Sequence, residues 1–79
     1  MLKYVRHSHL GFVVWSAETS LWHKHIGRLL LTDGGTLISA GFCSLAEGVV
    51  VCWGKSESLS LGGKPDDAEE LAEQLGLKT

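Results

Sequence analysis

The sequence predicts an α+β domain in which an antiparallel sheet of four to five strands carries two helices, in the order ββαββ(β)α. Three observations predict it. Short apolar and β-branched runs bounded by glycine-containing turns recur along the chain, residues 65–75 space their apolar side chains as a helix does, and residues 20–31 do the same between two groups of strands. With 79 residues the chain forms one domain, 1–79. Folding at this size buries only about 60% of the surface that the unfolded chain exposes, so the core is marginal and benefits from a further support such as oligomerisation.

Residues 3–6 and 10–15 read as the first two strands, the second being Leu10-Gly11-Phe12-Val13-Val14-Trp15 with no polar member, and His7-Ser8-His9 falls at the turn between them. Residues 20–31 place Leu21, Trp22, Ile26, Leu29 and Leu30 on one broad helical face with Ser20 as N-cap. Gly27 weakens that helix, and a strand remains the alternative, because Leu21, His23 and His25 alternate with Trp22, Lys24 and Ile26. Asp33-Gly34-Gly35 makes a turn into three further strands at 36–45, 49–53 and 57–61. Ala46-Glu47-Gly48 fits a two-residue turn, which sets Cys43 opposite Cys52, or a three-residue loop, which sets Cys43 opposite Val51.

Val49-Val50-Val51-Cys52-Trp53 is apolar on both faces, the pattern of a strand covered from both sides. Two helices in one layer leave one sheet face open, so curling of the sheet or a second subunit is required, and a C2 homodimer is the commonest form of the latter. The closing helix, 65–75, buries Ala68, Leu71, Ala72 and Leu75. Pro65 suits its first turn, Gly76 its left-handed cap, and its five carboxylates a solvated face.

The formal charge of −2 hides an asymmetry. Residues 1–32 hold Lys3, Arg6, Lys24, Arg28 and all four histidines against Glu18, whereas eight acids face Lys55, Lys64 and Lys78 in the remainder. A basic first third can attract a polyanion, although opposite charges of one small domain also simply neutralise each other. No apolar run approaches the roughly 18 residues of a membrane span, and no secretory signal opens the chain, so a cytoplasmic protein without membrane contact and with reduced thiols is expected.

The residues most suited to chemistry are the two H-x-H pairs, His7/His9 and His23/His25. On a strand both histidines of such a pair share a face and can share an ion, while on a helix they lie roughly 200° apart. His7 and His9 are therefore weak metal candidates, and His23 and His25 chelate together only if residues 20–31 form a strand. The short C-x-x-C and H-x-x-x-H zinc spacings are missing. Cys43 and Cys52 lack redox spacing and read as core, as Trp15 and Trp53 do. Gly54-Lys55-Ser56 fails as a phosphate loop, because Val49 stands where the first glycine belongs, and no G-x-S-x-G occurs. Ser56, Ser58 and Ser60 line one solvated face of the last strand. No catalytic residue and no cofactor is implied. The candidate interaction surface comprises Arg6, His7, His9, Trp22, His23, Lys24, His25 and Arg28, with Trp22 either in the core stripe of its helix or on a recognition surface.

Ile38-Ser39-Ala40-Gly41-Phe42, the run from Cys52 to Leu59 and the opening from Lys3 to Ser8 resemble small bacterial proteins of unknown function encoded in prophage regions. That resemblance implies a compact accessory or regulatory protein and supplies no substrate or site residue. The expected function is a non-enzymatic protein-interaction or regulatory module acting as a dimer. The competing classes are a nucleic-acid-binding accessory protein and a metal-binding protein.

Overall fold

In the computed structural model, which describes residues 1–79, the chain opens as a hairpin of β1 (Leu2–His7) and β2 (Gly11–Ser16), continues through α1 (His23–Leu31) and returns as β3 (Leu37–Ser44). A tight turn at Ala46–Gly48 leads to β4 (Val51–Trp53). Two short strands follow, β5 (Lys55–Ser56) and β6 (Leu61–Gly62), and α2 (Asp67–Leu75) closes the fold. The main sheet has the order β2-β1-β3-β4 and is antiparallel throughout, with β5 and β6 paired apart from it. The fold is α+β, and the element order follows the expected one.

Strand alternation sends neighbouring side chains to opposite faces, and each face receives one helix. Tyr4, Phe12 and Cys43 pack with Leu71 and Ala72 of α2, whereas Val5 and Ala40 pack with Leu30 of α1, backed by Leu59 and Leu61 of the β5–β6 region. The expectation that helices would leave one sheet face open is corrected: they lie on both sides. The opening remains only at the β4 margin of the α1 face, where Val51 (51%) and Trp53 (43%) are exposed.

Four local expectations change. Helix α1 begins at His23 rather than residue 20, with Trp22 as its N-cap. The His25 Nδ1 reaches back to accept the Trp22 N–H at 2.8 Å, the role that Glu or Gln fills in a capping box. Its buried stripe is His23, Gly27 and Leu30, while Leu21, Trp22 and Leu29 are exposed. Gly27 belongs there because a Cβ would come within 3.2 Å of Leu59 and 3.0 Å of Leu37. The strand expected at 57–61 is instead a turn: the Ser56 hydroxyl accepts the Leu59 N–H at 3.2 Å and Ser60 has φ 53°. Ser56 is therefore buried rather than lining a solvated strand face.

The β3–β4 hairpin adopts the two-residue alternative. Glu47 and Gly48 both have positive φ (58° and 75°), as a type I′ turn requires, and the Val49 N–H closes the turn on the Ala46 carbonyl at 3.1 Å. Cys43 consequently faces Cys52, and Phe42 faces Trp53.

Each edge of the sheet is capped at specific residues. On β2 the Gln74 side chain grips the Phe12 backbone as a strand would, accepting its N–H at 2.8 Å and donating to its carbonyl at 2.9 Å. Beyond β4 the Val50 N–H donates to the Lys78 carbonyl (2.7 Å) and the Gly54 carbonyl accepts from Gly63 (3.3 Å). Such closure guards against strand-to-strand association.

Candidate functional site

One row of side chains crosses all four strands on the α1 face, because directly opposed residues share a face: Trp15, Lys3, Phe42 and Trp53. The first residue of α1 docks on this row. The His23 ring meets Trp15 edge-on at 5.4 Å and Phe42 edge-on at 5.5 Å, and its Nε2 lies 2.8 Å from the Gly41 carbonyl. A carbonyl only accepts, so Nε2 carries the proton. Burial pulls the imidazole below its ordinary pKa; the Gly41 bond opposes this and the Lys3 charge adds to it. The neutral ring then presents Nδ1 as a bare acceptor, and no group of the chain occupies it.

The Lys3 ammonium and the Trp15 indole N–H both donate to the Leu21 carbonyl, at 3.0 and 3.2 Å, which fixes the entry to α1. The Lys24 N–H donates to the Ser58 hydroxyl at 3.3 Å, tying the helix start to the β5–β6 turn. Between these ties lies a cleft of about 320 Å³ lined by Lys3, Trp22, His23, Phe42, Lys55, Glu57 and Ser58. At its rim Trp22 is 53% exposed, with the Lys24 Nζ 4.7 Å from its ring centroid.

The expected surface residues are divided by the fold. Trp22, His25 and Arg28 are exposed on α1 with Lys24 half-buried between them, and His9 is exposed in the β1–β2 turn. Arg6 leaves the group, because it points to the α2 face, where it pairs with Asp66 and Asp67 at 3.2 Å and stacks on Phe12. His7 and His23 are buried and leave the outer surface, His23 keeping its remaining 5% exposure and a place in the lining of the cleft. His7 staples the first hairpin: its Nδ1 accepts the His9 and Leu10 N–H groups at 3.0 and 3.1 Å, and its Nε2 donates to the Gly34 carbonyl at 2.6 Å. Strand β1 ends at His7, so the His7/His9 pair does not continue a strand, and both ring nitrogens of His7 are engaged. The metal candidacy of His7 and His9 falls with that geometry, and His23 and His25 diverge around α1. No three His, Cys, Asp or Glu side chains converge.

Sequence reasoning missed Phe42, Lys55 and Ser58, which line one cleft with Trp22. The available signal was the two-residue turn, since it places Phe42 beside Trp53 and thereby the aromatic row. Asp67, expected on a solvated helix face, is instead fully buried on the opposite side of the sheet. Its carboxylate accepts from the Tyr4 hydroxyl, the Ser39 hydroxyl (2.8 Å), the Lys64 N–H (2.9 Å) and Arg6 (3.2 Å). Burial raises its pKa but these donors outweigh it, and the net shift is downward; the Tyr4 hydroxyl, buried against the carboxylate, is held well above its ordinary range. Every oxygen there is satisfied within the chain, which makes the cluster a structural clasp. Trp53, expected in the core, is exposed. No protein-family model, curated protein or solved structure matches this chain, and no helix is long and apolar enough to cross a membrane.

Proposed function

We propose that this protein is a non-enzymatic interaction module of the cytoplasm that acts through the α1 side of its sheet, and that the partner on this side is a second copy of the chain. The observation that carries the reading is the placement of its exposed apolar side chains. Six of the eleven large hydrophobics left exposed, Leu21, Trp22, Leu29, Leu31, Val51 and Trp53, lie on α1, its entry or the same sheet face. Trp22 caps the start of α1 and Leu29 stands on its exposed side, so apolar surface flanks the helix from its entry to its last turn. The sheet edges carry side-chain and backbone caps at Phe12, Val50 and Gly54, which disfavours strand addition and leaves this face as the surface for association. A C2 contact repeats one patch on both copies and is the usual solution for a small chain. The resemblance to prophage accessory proteins is consistent with a regulatory partner role and with no chemistry of its own.

Sedimentation over a wide concentration range tests the pairing. The expected species has twice the 8.5 kDa chain mass, and Leu29→Glu, placing a charge at a side chain that is 65% exposed, returns it to a monomer. A wild-type chain that stays monomeric throughout overturns the reading.

A further inference from the structure

We infer that the cleft between the head of α1, β3 and residues 55–58 is a binding site for a nucleoside monophosphate. The inference does not rest on pairing; Trp22 is the one residue that both readings use, and the other six lining residues lie outside the pairing surface.

Three features of the cleft define the ligand. Its apolar surfaces are rings, the exposed Trp22 and the half-buried Phe42, and rings are what a flat heterocycle stacks on. Its charge is mostly positive, from Lys3, whose ammonium gives one donor to the Leu21 carbonyl, and from Lys55, which forms no ion pair within the chain, the two ion pairs of the molecule belonging to Arg6. Its most enclosed polar group is His23, only 5% exposed, whose Nε2 is committed to Gly41. No buried side-chain nitrogen or oxygen lacks a partner, so the unbonded Nδ1 keeps contact with solvent, and the cleft is the cavity that His23 lines. An unpartnered acceptor in the wall calls for a ligand N–H, which a nucleobase carries on its edge.

Glu57, the single carboxylate of the lining, repels a phosphate but accepts ribose hydroxyls, and this places the phosphate toward the lysines and the sugar toward residues 57–58. A volume of about 320 Å³ is at the small end for ligand clefts and matches one nucleotide rather than a dinucleotide. A free phosphate would use the lysines alone and leave the rings and Nδ1 idle. A neutral nucleoside would do the reverse.

Titration of the 15N-labelled full chain with AMP, GMP, CMP and UMP in turn tests the site, with inorganic phosphate and the matching nucleosides as controls. At least one nucleotide is expected to shift the Trp22 indole and His23 resonances saturably, with a Kd on the order of 0.1 mM. Each control should bind at least about tenfold more weakly, as two separated halves of one ligand do. Lys55→Ala, at an exposed position, should weaken nucleotide binding roughly tenfold, and Trp22→Leu should weaken it as well, both with an unchanged fold by circular dichroism. Leu29→Glu lies outside the lining and should bind as the wild type does, which separates failure of this site from failure of pairing. Absence of saturable shifts with all four nucleotides overturns the inference, as does phosphate binding equal to that of the nucleotides, or binding indifferent to both Lys55→Ala and Trp22→Leu.

Discussion

At the scale of single residues the decisive side chains are two buried titratable groups on opposite faces of the sheet. Asp67→Asn keeps the shape but replaces one of the two acceptor oxygens, which face three side-chain donors and the Lys64 N–H, with a donor amide and removes the charge. The expected cost is about 3 kcal/mol in urea denaturation, since it breaks a buried charge-assisted cluster; Tyr4→Phe, removing one donor, should cost less. The folded-state pKa of Asp67 lies below its ordinary 3.8, so the stability it provides is present above that value and lost as pH falls through the folded pKa. His23 works in a different window. Its folded pKa lies below the ordinary 6.5, the unfolded chain therefore takes up the proton first, and stability declines as pH falls below about 6.5. Denaturation midpoints compared between pH 7.5 and pH 5 should show this slope in the wild type and a smaller one in His23→Gln. Equal slopes would remove the role given to His23. Both residues were partly legible in the sequence. Asp67 precedes Leu71 by four, which places it on the buried stripe, but a carboxylate in a first helical turn is also what the helix dipole favours in water. Only the tertiary donors distinguish the two.

At the scale of elements, the strands and the closing helix were readable because period and turn chemistry agree there, and the misread elements are those where they conflict. Glu57-Ser58-Leu59-Ser60-Leu61 alternates as a strand does, yet the Ser56 hydroxyl offers the Leu59 N–H a local partner and bends the segment into a turn. In α1 the apolar residues exceed what the sheet can cover, and the close approach of Leu37 and Leu59 selects the face that carries Gly27. The edge caps were invisible because Gln74 and Phe12 are 62 residues apart. Gln74→Ala strips both backbone groups of Phe12 from their partner, and a cost of about 1–2 kcal/mol is expected, with faster aggregation by light scattering as β2 becomes an open edge. The opposite change is available in the β3–β4 turn. Glu47 holds φ 58°, which asparagine tolerates better, so Glu47→Asn creates an Asn-Gly type I′ turn. It should raise stability by about 0.5–1 kcal/mol, or a few degrees in Tm. A lower Tm would mean that the Glu47 side chain contributes something the turn geometry does not contain.

At the scale of the whole molecule, charge and packing are segregated between two layers. The α2 layer gathers Asp66, Asp67, Glu69, Glu70 and Glu73, while Lys24 and Arg28 lie on α1 and Lys3 and Lys55 line the cleft beside it. The near-neutral total thus conceals a basic, aromatic side and an acidic one, an arrangement that orients an anionic ligand toward the α1 side. The chain alone is already dense: its radius of gyration of 11.5 Å is close to the roughly 11.6 Å expected of a compact chain of this length. The proposed pairing needs no folding step of its own, and stability within one copy can be read by a probe at its centre. Cys43 and Cys52 provide it. They face each other in the sheet beneath α2 as free thiols; Cys43 is fully buried, and burial pushes the Cys52 thiol up to about 12. The turn closure at Ala46 and Val49 makes theirs a non-hydrogen-bonded pair, with side chains directed together into the α2 core. Burial of Cys43 and the raised pKa of Cys52 both keep the reactive thiolate scarce in the folded chain, so a disulfide-exchange reagent reacts faster once the fold opens. Labelling should follow global unfolding: both thiols react together, and the rate rises with urea with the slope of equilibrium unfolding. It should rise in Asp67→Asn and fall in Glu47→Asn, each by the factor that its stability change dictates. Early labelling of Cys52 alone would instead reveal that β4 separates from β3 while the rest stays folded, and the two-layer core would then not act as one cooperative unit.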